Sequence, residues 1–425
     1  MFENRDMRFS FIHAADLHID SPLAALGKRN ADAAALFAHA GRKAVEALID
    51  ETLNSGAAFL VIAGDVFDGA WNDYTTGLFF IRELGRLERE GIPVFMVRGN
   101  HDAESKMSRA LRNWPSNVHL FSSRKAESKE LPELQTILHG RSFPGPKVPD
   151  DFVASYPAAK PGWLNIGILH TALDGVRGHA SYAPCTPDDL RRFGYEYWAL
   201  GHIHMPEIVS RDPWIVFPGN IQGRSVRETG PRGAMRVDVE DGRIAGTGQV
   251  ALDQARWALD RLDITACTSE DSLYETIGER LRGVHDKADG RPLALRLILD
   301  GESVMHGWIA ANKDQVEAET QALAAHIAGD FWLEKLHIAT SAQHQPAASW
   351  DDDQLDVKSL LVKTASAPAF SQTIATLAAD IRSKLPPELR EAFDVAVEGE
   401  GESAMPVGGE AQALVLGRLK QDASG

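Results

Sequence analysis

Five times within the first 204 residues a short apolar run ends abruptly in aspartate, asparagine or histidine. Phe11-Ile12-His13 leads into Ala14-Ala15-Asp16-Leu17-His18, and Phe59-Leu60-Val61-Ile62-Ala63 leads into Gly64-Asp65. Pro93 to Val97 precedes Arg98-Gly99-Asn100-His101-Asp102, Leu164 to Leu169 precedes His170, and Tyr197 to Leu200 precedes Gly201-His202-Ile203-His204. Runs this short and apolar read as buried strands. Open α/β sheets collect ligand chemistry at the carboxyl ends of their strands. One Gly-Asp after a strand is most often a turn, and one histidine is most often an ordinary histidine. Repetition removes that reading, because a fold must bring the five strand ends to one place.

The intervening segments supply the helices. Ala31 to Leu53 carries Leu36, Phe37, Ala40, Ala44, Val45, Leu48 and Ile49 at helical spacing, and Gly56 is placed to stop it. Asp73 can cap a second helix through Glu90, which Gly91 and Pro93 terminate. Residues 144–162, rich in Pro and Gly, read as a loop. Strands at Trp214 to Phe217 and Ala234 to Val239, with a hairpin turn at Asp241-Gly242, close one α/β domain over 8–250. From 256 to 341 the pattern changes to β-α-β-β-α-β, with Val304 to Ile309 as the third strand and Lys313 to Ile327 as the second helix. A linker then leads to a helical segment, 351–425, reading as helix at 355–363, 371–384, 387–393 and 410–420. The 425-residue chain is long enough for such a division.

Charge narrows the partners. The formal net charge is −16, so nucleic acid would not be drawn in by the overall field. Residues 341–425 hold 13 acidic and 7 basic residues, a net of −6, which favours protein docking there over DNA contact. One stretch is locally positive: Arg224, Arg227, Arg232 and Arg236 stand against the single acid Glu228. It reads equally as a surface loop or as a phosphate contact, with Arg224 and Arg227 the substrate-binding candidates. Cys185 and Cys267 have no metal-type spacing and suit a reducing cytoplasm. No run of 18 apolar residues is present, and Met1 to Arg8 lacks the apolar stretch of a signal peptide, so no membrane association is expected.

The strand-end residues Asp16, His18, Asp65, Asn100, His170, His202 and His204 form a mixed oxygen and nitrogen donor set. Such sets suit Mn²⁺, Fe²⁺ or Zn²⁺, and the absence of thiolates argues against a closed structural zinc site. Seven donors exceed what one ion with open positions needs, so two ions are expected.

The ordered pattern D-x-H, G-D, G-N-H-D, H and G-H-x-H resembles the calcineurin-like metallophosphoesterase superfamily over residues 8–250. "FIHAADLHID", "GDVFD", "GHIH" and "FPGNIQGRSVRETGPRG" resemble its DNA-repair exonuclease branch, SbcD-like and closest to a bacterial YhaO-like group. The resemblance implies an α/β/β/α sandwich of two mixed sheets, with 256–341 in the position of a capping domain. It implies one metal held by Asp16, His18, Asp65 and His204, and a second by Asp65, Asn100, His170 and His202. His101 would ligate neither and would donate to the leaving oxygen. Asp102 would either orient His101 or cap the next helix. Asp68 stands where archaeal and eukaryotic members carry a histidine that assists the catalytic one, which leaves the partner of His101 open. The expected activity is a Mn²⁺-dependent DNA exonuclease or endonuclease acting in double-strand break repair. Its expected partners are an SMC- or AAA-type ATPase docked on the C-terminal helices and, by analogy, a second copy of the chain. A small-molecule phosphodiesterase or phosphatase is the alternative, and a non-catalytic scaffold a more remote one.

Overall fold

The computed structural model describes residues 7–21, 31–68, 74–105, 111, 113–148, 152–173, 183–343, 363–364 and 367–384. The cap at Asp73, all but the first three residues of the linker read at 341–350, and the helices at 387–393 and 410–420 lie outside them, as does nearly all of 355–363. Residues 341–342 of that linker end a strand instead. The chain divides into two compact units, Met1–Trp257 and Ala258–Gly425.

The first unit holds twelve strands: β1 (Arg8–Ala14), β2 (Leu60–Ile62), β3 (Val94–Met96), β4 (Val118–Leu120), β5 (Glu127–Leu131), β6 (Thr136–Gly140), β7 (Leu164–His170), β8 (Tyr197–Gly201), β9 (Glu207–Arg211), β10 (Trp214–Phe217), β11 (Gly233–Glu240) and β12 (Arg243–Ala251). They form two six-stranded sheets, ordered β12-β11-β1-β2-β3-β4 and β5-β6-β7-β8-β10-β9. Parallel pairing runs through β1 to β4 and through β6, β7, β8 and β10, and antiparallel strands flank each run, so both sheets are mixed.

Period-2 alternation sorts each strand between two cores. Phe11, Phe59, Val61 and Phe95 face Leu138, Ile166, Ile168 and Tyr197 between the sheets. Ile12, Leu60, Ile62, Val94 and Met96 face outward and are covered by Ala44, Val45, Leu48 and Ile49 of α1 (Ala31–Asn54) and by Phe80, Leu84 and Leu87 of α2 (Tyr74–Arg89). On the far side Trp198, Leu200 and Leu169 pack under Phe152, Tyr156 and Leu190. This is the expected α/β/β/α layering. Its consequence for function is alignment, since the carboxyl ends of β1, β2 and β3 lie against those of β7 and β8. His13 pins them: its Nδ1 is 3.0 Å from the Tyr197 hydroxyl and its Nε2 is 3.1 Å from the Leu200 carbonyl. Burial lowers the His13 pKa to about 3, so the ring works as a neutral hydrogen-bonding tie between the sheets.

The second unit is a three-stranded sheet, β13 (Arg256–Asp263), β14 (Leu293–Ser303) and β15 (Phe331–Ala342), in that order. Its core joins Leu295, Leu297, Leu299 and Phe331 to Leu273, Ile277 and Leu281 of the helix Glu270–Asp286 and to Val316 of the helix Lys313–Ile327. The expected strand at Val304 to Ile309 is instead a helix, His306–Ala311, so the order is β-α-β-α-α-β. A short apolar run fits either period. Here Met305 and Ile309 are the buried pair and the Ile309 amide donates to the Met305 carbonyl at 2.8 Å, which is helical spacing. The segment read as helix at 371–384 lies within the helix Pro368–Lys384, which exposes Leu377 and Ile381.

Candidate metal centre

Asp16 and His18 stand just beyond β1, Asp65 beyond β2, Asn100 at the start of the short helix Asn100–Glu104 after β3, His170 at the end of β7, and His202 and His204 beyond β8. Donor atoms of Asp16, His18 and His204 all lie within 4.8 Å of one another, and so do those of Asp65, His170 and His202. Asn100 joins the second group, its Oδ1 being 3.1 Å from His170 Nε2. All seven expected ligands therefore converge on one place, with Asp65 grouped with His170 and His202 and not with Asp16, His18 and His204.

The backbone bends sharply to do this. Asp16, His18, Asp65 and His202 have φ of 52°, 41°, 51° and 100°, a region that costs side-chain-bearing residues on the order of 1–3 kcal/mol each. Neighbouring bonds hold these turns in place. The Asp16 amide donates to the Gly64 carbonyl at 3.0 Å and the His18 amide to the Asp65 carbonyl at 3.1 Å. The His202 amide donates to both Asp16 oxygens, at 3.1 and 2.9 Å, and the His101 amide to Asp65 Oδ1 at 3.0 Å. The motif glycines are demanded by space. A Cβ on Gly99 would stand 2.2 Å from Asp65 Oδ1, and one on Gly201 would stand 2.1 Å from the Ala63 carbonyl oxygen. Gly99→Ala is accordingly expected to displace the Asp65 carboxylate and weaken divalent-metal binding by at least about 10-fold. Metal analysis after equilibrium dialysis would show it; unchanged affinity would mean that the loop yields instead.

Electrostatics bind the groups together. Burial works to raise the Asp65 carboxyl, but the adjoining imidazoles of His170, His18 and His101 hold it well below the usual carboxylate range. Burial works to lower His170, yet Asp65, its carboxylate 3.2 Å away, pushes the imidazole up to about 9. Each group is thus stabilised in its charged form by the other, and a bound cation would take the place of the His170 proton.

Ring orientation tests whether these donors suit metal. His18 Nδ1 is 2.6 Å from Asp68 Oδ1, His204 Nδ1 is 2.7 Å from Glu228 Oε1, and His170 Nδ1 is 2.9 Å from the Ala63 carbonyl. Acceptors behind Nδ1 favour the N–H on that atom and leave Nε2 of the neutral ring as a lone pair facing forward, although at His204 the Arg224 NH2 donor also stands 3.3 Å from Nδ1. His18 Nε2 and His204 Nε2 then confront each other at 3.2 Å. With both rings in that tautomer two lone pairs meet, and a cation held between them would remove the repulsion; without metal one ring can instead donate an N–H to the other. Together with the buried carboxylates of Asp16 and Asp65, this makes the donor set fit divalent metal.

The other expected site residues divide. His101 is 41% exposed and its ring centroid is 5.1 Å from that of His18, so it stands at the rim of the centre. Asp68 does not hydrogen-bond to it: the nearest approach is 3.8 Å, and the carboxylate serves His18 instead. Asp102 lies away from the chemistry, because its buried carboxylate accepts the amides of Val66, Phe67 and Gly99 and closes the turn before its own helix. Burial and the Asp65 charge push its pKa up to about 7. These bonds are those of a helix cap.

The arginine stretch is not a basic face. Arg232 is buried and donates to the His204 and Thr229 carbonyls, and Arg236 pairs with Asp238. Arg224 turns inward to Asp68 and Glu228, while Arg227 is exposed. Charge counting along the sequence cannot see which arginines point inward. It also missed Glu228, whose only signal was being the lone acid among them. Burial opposes ionisation of Glu228, but its bond to His204 and the charge of Arg224 lower the pKa to about 2.

Residues 9–206 match the calcineurin-like phosphoesterase family, and residues 257–341 match the middle domain of metallophosphoesterase YhaO. Over 296 residues the chain is 34% identical to the uncharacterized metallophosphoesterase YhaO of Bacillus subtilis, covering 69% of this chain and 72% of that protein. The chain belongs to the calcineurin-like metallophosphoesterase family. More distant relatives of this metallophosphoesterase are DNA double-strand break repair proteins Mre11. That of Archaeoglobus fulgidus is 28% identical over 249 residues, 51% of each chain, and that of Sulfurisphaera tokodaii 24% identical over 311 residues, 69% of this chain and 74% of the other. The family holds a dinuclear metal site, and among the described residues this metallophosphoesterase has three His/Asp groups that could hold metal: Asp16, His18 and His204; Asp65, His170 and His202; and His18, Asp68 and His101. Among the described residues no helix is long and apolar enough to cross a membrane.

Proposed function

We propose that this metallophosphoesterase is a Mn²⁺-dependent DNA phosphodiesterase that works with an SMC- or AAA-type ATPase in double-strand break repair in the cytoplasm. The observation that carries the hydrolytic part is His101, a solvent-accessible imidazole at the rim of two converged donor sets and itself outside both. When bound, divalent cations supply Lewis acidity toward phosphoryl oxygens and lower the pKa of water. The residues supply the rest. Asp65 accepts the His101 amide at 3.0 Å, which registers the His101 loop to the metal ligands. His101 is then free to give a proton or hydrogen bond to the leaving oxygen. Asp102 fixes the same loop from beneath through its three amide bonds.

DNA as substrate is supported by the Mre11 relatives, and partner docking by the exposed Leu377 and Ile381 on the C-terminal helix. The competing reading, a small-molecule phosphodiesterase, is favoured by the net charge of −16 and by the inward-facing arginines. Duplexes labelled at the 5′ or the 3′ end, incubated with Mn²⁺ or Mg²⁺, separate the two. Cleavage with Mn²⁺ is expected. Hydrolysis of a bis-aryl phosphodiester with single- and double-stranded DNA left intact, with and without the ATPase, would establish the small-molecule reading.

A further inference from the structure

Behind the first donor set the contacts close into a ring. Asp68 Oδ1 lies 2.6 Å from His18 Nδ1, His18 Nε2 lies 3.2 Å from His204 Nε2, and His204 Nδ1 lies 2.7 Å from Glu228 Oε1. Arg224 completes the circuit, with NH1 3.4 Å from Asp68 Oδ1 and NH2 3.7 Å from Glu228 Oε1. Its backbone amide also donates to Glu228 Oε2 at 2.7 Å, and the Asn220 side-chain amide reaches the same oxygen at 2.9 Å. Both Glu228 oxygens are therefore occupied.

We propose that Arg224 is a positioning residue of the first metal pocket, holding Asp68 and Glu228 behind His18 and His204, and not a grip on the substrate phosphate. Three observations point this way. The guanidinium lies between two carboxylates whose side chains are only 16% and 12% exposed, and partly buried carboxylates need a counter-charge. A planar fork can serve two acceptors at once, which a lysine ammonium cannot do in fixed geometry. A phosphate engaging the guanidinium would compete with Asp68 and Glu228 for it and so loosen the imidazoles they orient.

In the second pocket His170 is oriented differently. His170 is backed by the Ala63 carbonyl at 2.9 Å, and neither Arg224 nor Glu228 is among its partners. The ring should therefore govern one ion of the two. Partners behind metal-ligating histidines fix ring orientation and raise ligand basicity, so their loss is felt in metal affinity. The inference rests on the dinuclear reading of the site and not on DNA as the substrate.

Its test is Mn²⁺ binding by the full chain, measured by equilibrium dialysis with metal analysis and needing no substrate. The wild type is expected to bind two ions. Arg224→Ala should weaken one of them by about 10–100-fold and leave the other within about twofold, the usual limit for independent sites. Glu228→Gln should weaken the same ion. The double variant should bind no worse than the weaker single one, because both changes break one unit. Arg224→Lys should resemble the alanine variant, since charge without the fork does not rebuild the ring. Should Arg224→Ala fail to give a native circular dichroism spectrum, Glu228→Gln carries the same expectation. Two ions held at wild-type affinity in Arg224→Ala, with KM for a phosphodiester raised, would overturn the proposal in favour of substrate binding. Equal weakening of both ions would overturn it too. A wild type that binds fewer than two ions would instead count against the dinuclear reading itself.

Discussion

Asp65→Asn is expected to abolish tight binding of both metal ions at once, and hydrolysis with it. The change keeps the side-chain volume but removes the charge that holds the two donor sets together. The Asp65 carboxylate is 1% exposed as a residue, accepts the His101 amide on Oδ1, and meets His170 Nε2 with Oδ2 at 3.2 Å. An amide can keep the first contact only by turning its NH₂ toward His170, where it offers a donor in place of an anion. Loss of a residue behind a ligand typically weakens binding about 10–100-fold, and removal of a shared anionic ligand should exceed that for each ion. Metal analysis of the dialysed variant is the check. If one ion stays at wild-type affinity, Asp65 belongs to a single pocket and the shared role is wrong.

His101→Ala should separate chemistry from metal binding. The His101 imidazole is outside both donor sets and acts on Asp65 only through its charge, and the amide that bonds to Asp65 remains in alanine. Two ions should bind at wild-type affinity while kcat falls by about 10²–10⁴-fold, the usual range for removing a general acid. The loss should shrink for diesters whose leaving group departs readily as an anion, because such groups need no proton. Loss of metal in this variant would make His101 a ligand. An equal loss for good and poor leaving groups would give it a binding role instead.

Much of the site was legible because its residues lie at strand ends, where a local signal, apolar run then polar residue, marks a three-dimensional address. Asp16, His18, Asp65, Asn100, His170, His202 and His204 could all be picked out that way. What escaped depends on which side of a loop a side chain faces. Asp68 follows Asp65 by three residues and its role beside His101 stayed open in the sequence; the turn sends it to His18. Glu228 looked like a stray acid among arginines, though it is the acceptor behind His204. Arg232 looked like surface charge and is buried beneath the same histidine. In the second unit, Val304 to Ile309 is too short for its apolar pattern to distinguish strand from helix, and only the burial of Met305 and Ile309 decides it. No local rule reports these contacts, because each is made with a residue distant in the chain or with a core that exists only after folding.

The left-handed turns at Asp16, His18, Asp65 and His202 carry a consequence for anyone seeking a hardier version of this enzyme. Glycine at such positions relieves the local backbone penalty. A screen for heat resistance performed without metal would therefore reward the very changes that dismantle the centre. Selection with divalent cation present reverses that incentive, because ligand binding to the native state adds to its stability. Durability and catalysis in this fold can be improved together only when the screening medium contains the ion.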